Sequence, residues 1–406
     1  MNSRERVRLI LNHQEADRPA IDLGSTRMTG MSAWSYRALK RRLGIASYQV
    51  RAYDLYQMLA EIETPVLDAL GADFVMLPID ELPFNLPYGR WQPFTFWDGQ
   101  TMEVPAGFAP HATADGGLEA PWVRGGEVQA MRMPHGGRYF DIIPGERQDS
   151  FEIGHQDPSE WAFDPPPTDE WLRREQDKAH ALYESTERAL VASPPIAAPQ
   201  GYLATYQWAM KMMTEPEHCR DYLLTRAEAG ARAIALYMQA VGDYIQVLNI
   251  SGYDYGTQDR EMFRPELFRD FYVAPWQQFV APIRRHPAVK TWIHCCGSVP
   301  NLIPYFIEAG VDILNPVQWT AAGMDLRWLK RAYGDRLTFW GGAISTQRTF
   351  PWGTPEDVAR EAREVLDTMA PDGGFVVNPI HNILAEVPVD NIIALYRTAQ
   401  AYRYAG

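Results

Sequence analysis

Residues 290–318 read KTWIHCCGSVPNLIPYFIEAGVDILNPVQ. KTWIHCC is an apolar run of strand length. In the segment after it, Leu302, Ile303, Phe306 and Ile307 fall on one helical face and Gly310 supplies a stop. VDILNPVQ then reads as a second buried strand. A strand, helix and strand at this spacing form a parallel pair with a helical crossover. The rhythm runs on to the C-terminus: MDLRWLKRAYG is helical, RLTFWGGAIS extended, and TPEDVAREAREVLDTMAP helical again. Thr354 caps that last helix, with Pro355, Glu356 and Asp357 in its first turn. Its apolar face is Val358, Ala362, Val365, Leu366 and Met369. GGFVVNPIHN is a further strand and VPVDNIIALYRTAQAYR a closing helix.

Upstream, ADFVMLPI, RALVASPPIAA and DYIQVLNISGY are strand candidates, and helical patterns cover residues 205–241 and 265–285. One more strand, expected within residues 120–145, brings the count to eight. Eight favours a (β/α)8 barrel, here with an N-terminal helical segment, over an open doubly wound sheet. Residues 84–150 are rich in Gly, Pro and aromatics without a helical period, and are expected to form an insertion of short antiparallel strands over the barrel mouth. The whole chain, 1–406, then reads as one barrel domain.

The composition narrows the function. A chain of 406 residues that is 46% hydrophobic and 22% charged can bury a large core. Its net charge of −13 disfavours nucleic acid and anionic membrane surfaces as partners. No apolar run approaches a membrane span or a signal peptide, and three cysteines, an odd number, do not suit a disulfide framework. A cytoplasmic protein acting on a small molecule is expected, with a homodimer left open.

Side chains alternate along a strand, so His294 and Cys296 share a face while Cys295 points away. Barrel active sites lie at the C-terminal ends of the strands, where these two would converge. A histidine nitrogen and a cysteine sulfur suit zinc, which needs at least one more ligand. Cys219 sits in a helical pattern, whereas His381 follows the last strand and is better placed. Two other readings stay open. The set is a core histidine beside inert thiols, or a redox pair, against which stands the divergence of adjacent cysteines in an extended strand.

Polar residues gather at the same edge. Asn249 ends one strand with Asp254 in its loop, Asn315 and Gln318 end the next but one, and Gln347 follows FWGGAIST. Asn378 and Asn382 flank His381, with Glu386 beyond. Amides and acids after successive strands form a ring of donors and acceptors around a pocket. Arg18, Asp22 and Asp80 could also reach the mouth, although each equally suits a cap or a salt bridge. Trp91, Phe94, Phe96 and Trp97 wall an aromatic substrate or merely seal the insertion.

SRERVRLILNHQEADRPAIDLG, GTQDREMFRPELFRDFYVAPW, IHCCGSVPNLIPYFIEAGVDILNPVQ, LTFWGGAISTQ and NPIHNILAEVPVDNIIALY resemble the uroporphyrinogen decarboxylase superfamily over nearly the whole chain. The nearer likeness is to its methyltransferase branch, whose members work with corrinoid proteins. The resemblance implies a (β/α)8 barrel, and zinc held by a His-x-Cys pair and a later cysteine. His294 and Cys296 match the pair, and His381 stands near the place of the missing cysteine. The implied function is zinc-dependent methyl transfer from a small methoxylated or methylated substrate to a corrinoid on a separate protein or to tetrahydrofolate, or the reverse, to a thiol. No cobalamin-binding domain is expected in a chain that ends directly after its last barrel helix.

On this reading His294, Cys296, His381 and Asp254 carry the chemistry, and Asn249, Asn315, Gln318, Gln347, Asn378 and Glu386 contact the substrate. The family's decarboxylases use no cofactor and hold a polycarboxylate with an N-terminal arginine cluster, of which only Arg18 and Arg27 are offered here. A non-catalytic binding barrel is the rival from another class.

Overall fold

A computed structural model describes residues 1–45, 49–124, 127–142, 165–199 and 206–404. Eight parallel strands form one sheet: β1 (Ala20–Ile21), β2 (Phe74–Met76), β3 (Ala189–Ala192), β4 (Val247–Gly252), β5 (Lys290–His294), β6 (Ile313–Asn315), β7 (Thr338–Trp340) and β8 (Phe375–Val377). Each strand from β2 to β8 pairs with the next in sequence, and β8 pairs with β1. The ring closes between β1 and β2 through Asp73. Its backbone N–H donates to the Ile21 carbonyl (2.7 Å), and its Oδ2 accepts from the Ile21 N–H (2.9 Å). The architecture is the (β/α)8 barrel expected from the strand count.

The eighth strand is not where the sequence placed it. It is Ala20–Ile21, while residues 120–145 contribute Leu118–Arg124, Glu127–Met133 and Asp141–Ile142 to a separate antiparallel sheet. A two-residue strand between Pro19 and a turn has no periodicity to detect. The helical pattern over 205–241 is two helices, Tyr206–Thr214 and Pro216–Val241. Pro216 has no N–H to continue the first and suits the opening turn of the second.

The barrel interior is a layer with one or two residues from every strand: Ala20, Phe74, Ala189 and Val191, Val247, Trp292, Ile313, Trp340 and Val376, all fully buried. Val7 and Ile10 of the helix Ser3–Ile10, with Leu11, close the end where the strands begin. There Asp73 also anchors Arg6 (2.7 Å) and Arg18 (2.7 Å), so Arg18 lies at the end opposite the mouth. Outside the strands the second core layer packs against the helices. Val358, Ala362, Val365, Leu366 and Met369 of Pro355–Met369 are all buried in it, below a Thr354–Asp357 capping box.

The described residues of the insertion, which leave out 125–126 and 143–150, form short antiparallel strands, among them Trp91–Thr95 against Thr101–Pro105. Its aromatics pack on one another: Phe94 lies 4.9 Å from Phe96 and 5.3 Å from Phe108, centroid to centroid. These rings seal the insertion itself, which touches the helix Ala33–Arg42 and the loop after β8 through Trp34–Asp98 (2.7 Å) and Arg138–Ala385 (3.3 Å). Among the described residues no helix is long and apolar enough to cross a membrane.

Candidate metal centre

The strand pleat builds the site. Two residues beyond the apolar layer, on the same inward face, stand Asp22, Met76, Ser193, Asn249, His294, Asn315, Gly342 and Asn378. One pleat step thus turns the lining from apolar to mostly polar at the C-terminal end, where the loops can add donors. Cys296 continues the face of His294, and the loop after β8 returns His381 towards it.

His294 Nε2 lies 3.2 Å from Cys296 Sγ, and the His294 and His381 rings are 5.3 Å apart. One donor atom from each of His294, Cys296 and His381 lies within 4.8 Å of the others. Two neutral nitrogens and a sulfur at this spacing suit a zinc-like cation with a further position open. Burial disfavours the imidazolium at both histidines, lowering His294 and taking His381 down to about 4, so at neutral pH each ring is neutral and keeps one nitrogen without a proton. Burial and then the Asp254 carboxylate hold the Cys296 thiol well above its ordinary value, so in the metal-free protein it stays protonated.

Backbone contacts fix the cysteine. Asp254 Oδ1 accepts the Cys296 N–H at 2.6 Å and stands 3.9 Å from His294 Nε2, with half its side chain exposed to the mouth. Gln318 Oε1 accepts the Gly297 N–H at 2.8 Å. Gly297 has φ +88°, and a β-carbon there would lie 2.5 Å from the Gly256 carbonyl carbon. The loops after β4 and β5 therefore touch backbone to backbone, which brings Asp254 over the pair. Cys295 points outward as its parity requires and is buried, its sulfur accepting from the Tyr255 N–H at 3.3 Å. Cys219 is buried in Pro216–Val241, its thiol raised by burial to about 11.

The other expected residues divide. Asn315 bonds His294 Nδ1 (2.7 Å), Asn249 reaches Ser193 Oγ (3.3 Å), and Asn378 reaches the Asp22 carbonyl (3.2 Å). Asn382 accepts from the Gly30 N–H (2.6 Å), tying the loop after β8 to that after β1. Gln347 is exposed with Thr320 (3.2 Å), and Glu386 is exposed in the turn beyond. Asp80 pairs with Lys178 at 2.7 Å. Asp22 is fully buried, accepts from Trp340 Nε1 (3.0 Å), and is raised by burial to about 6.

A cavity of about 730 Å³ is lined by Arg27, Met28, Met76, Ser193, Asn249 and Gly252 among others, and by none of the three donors. Gly252 is the register partner of His294, so the cavity wall and the donors are adjacent strands. Sequence reading missed Ser193 and the Arg27–Asp54 pair, which joins the loop after β1 to the short strand Ala52–Asp54.

Comparison with known proteins agrees with the architecture. The chain is 24% identical over 184 residues to uroporphyrinogen decarboxylases of Chloroflexus aggregans and Chloroflexus aurantiacus, a match covering 45% of this chain and 44% of theirs. A solved methyltransferase from Methanosarcina mazei shares the fold at 14% identity and a TM-score of 0.56, with 98% of each chain covered. Residues 198–402, half the chain and containing all three donors, match the uroporphyrinogen decarboxylase (URO-D) family, and the chain belongs to that family.

Proposed function

We propose that this chain is a zinc-dependent methyltransferase, taking a methyl group from a small methoxylated or methylated substrate to a corrinoid on a separate protein or to tetrahydrofolate. The convergence of His294, Cys296 and His381 at the barrel mouth carries this reading. Those three residues would hold the metal. Zinc bound there would supply Lewis acidity, stabilising negative charge on the heteroatom that loses its methyl group. The residues of the chain do the rest. Burial keeps both imidazoles neutral. Asp254 and Gln318 pin the backbone on either side of the Cys296 sulfur. The cavity beside Gly252 takes the substrate body, with Met28 and Met76 as apolar walls. The opposite direction, methylation of a thiol, would use the same donors.

Decarboxylation is the second reading, favoured by the names of the similar Chloroflexus proteins. Against it, Arg18 is committed to Asp73 far from the mouth, and Arg27 is paired with Asp54. The experiment is a direct comparison. Purified protein is offered methoxylated aromatics with a reduced corrinoid and, separately, uroporphyrinogen. Methyl-corrinoid formation that is lost in Cys296→Ala supports methyl transfer. Carbon dioxide release from uroporphyrinogen that persists in Cys296→Ala replaces it with decarboxylation.

A further inference from the structure

Resting on that metal reading, we propose that Asn315 is a positioning residue that fixes the tautomer of His294 and so aims its Nε2 lone pair at the donor cluster. The chain of constraint begins at a backbone carbonyl. The Trp340 oxygen can only accept, and Asn315 Nδ2 lies 3.0 Å from it. The reversed amide would set oxygen against oxygen, so the orientation of Asn315 is decided by the backbone. Its Oδ1 then faces His294 Nδ1 at 2.7 Å, and Oδ1 also only accepts. The proton therefore resides on Nδ1. A neutral imidazole has one N–H, which leaves Nε2 bare, and Nε2 is the nitrogen 3.2 Å from Cys296 Sγ.

The surroundings are cut to this arrangement. Asn315 is the register partner of His294 on the neighbouring strand, and only 1% of its surface is exposed. Gly341, at φ +87°, leaves the space beside it, because a β-carbon there would stand 3.2 Å from Asn315 Nδ2 and 2.9 Å from the Pro379 oxygen. Asn315 thus acts through His294, a role its place at the strand end alone does not reveal. Partners of this kind on the far nitrogen of a ligating histidine orient the ring and raise its basicity.

The test is ¹⁵N NMR of labelled imidazoles in the full-length, metal-free protein, with His294→Gln to assign the signal, followed by zinc affinity measured against a competing chelator. Wild type is expected to show the Nδ1–H tautomer at His294. Asn315→Leu should lose that preference and bind zinc about 10- to 100-fold more weakly. An Nε2–H tautomer in wild type, or an unchanged tautomer in Asn315→Leu, overturns the assignment. The wild-type spectrum decides even if the leucine variant does not fold. Since the NMR needs no metal, a protein whose tautomer depends on Asn315 but which takes up no zinc sinks the metal reading alone.

Discussion

Cys296 Sγ lies 3.2 Å from His294 Nε2, two residues apart on one face at the end of β5. The pair exists because the pleat returns to the same side every second residue, and because the chain after the strand is held by contacts from two other loops. Its geometry is therefore as sensitive to the glycines behind it as to the donors themselves.

Gly297→Ala is the sharpest test of that dependence. The new β-carbon would meet the Gly256 carbonyl carbon at 2.5 Å, at φ +88°, and neither backbone can yield without moving Asp254 or Cys296. Loss of about 1–3 kcal/mol of stability is expected, read as a lower denaturant midpoint, together with weaker zinc uptake. An unchanged midpoint would show that the two loops are free to separate.

Asp73 closes the barrel at its other end, holding Arg6, Arg18 and the Ile21 N–H with a carboxylate that is wholly buried. Asp73→Ala leaves Arg18 with only the Pro19 and Gly71 carbonyls, while Arg6 keeps Asp17 as its carboxylate. Breaking a buried ion pair from one side costs about 3–5 kcal/mol. Equilibrium denaturation should show this as a lower midpoint, while zinc added to the folded variant should bind as it does to wild type, because the proposed donors lie at the opposite end of the barrel.

Asp22 gives a pH dependence with a definite sign. Burial raises its pKa from the ordinary 3.8 to about 6, so between these values the native state binds more protons than the unfolded one. The stability that Asp22 contributes is complete below about pH 4 and falls as the pH rises to about 6. An amide at this position has no proton to lose and carries no such burden. In Asp22→Asn, stability relative to wild type should therefore climb by about 3 kcal/mol across that window and flatten above it. A difference that stays level from pH 4 to 6 would assign this carboxyl an ordinary acidity.

What could be read from the sequence followed the local physics. The C-terminal strand and helix units were legible because their apolar faces have full periods, as in Pro355–Met369, where every expected core residue is buried. The His294 and Cys296 face was legible from strand parity, and His381 from its place after the last strand. β1 escaped because two residues carry no pattern, and the nearby insertion strands took its place in the count. Asp73 as the barrel's closing residue, the Gly256–Gly297 contact and the reach of Trp340 to Asp22 join segments far apart in the chain, which local periodicity cannot reveal. Asn315 was legible as a polar strand end, but its partner on the neighbouring strand was not.

The central claim is that His294, Cys296 and His381 together hold a metal. It is tested most directly by elemental analysis of protein purified without chelator, wild type beside Cys296→Ala and His381→Ala. About one zinc per chain in wild type, with loss or a large reduction in both variants, is the predicted result. Wild-type protein that carries no zinc and cannot be loaded with it would contradict the account.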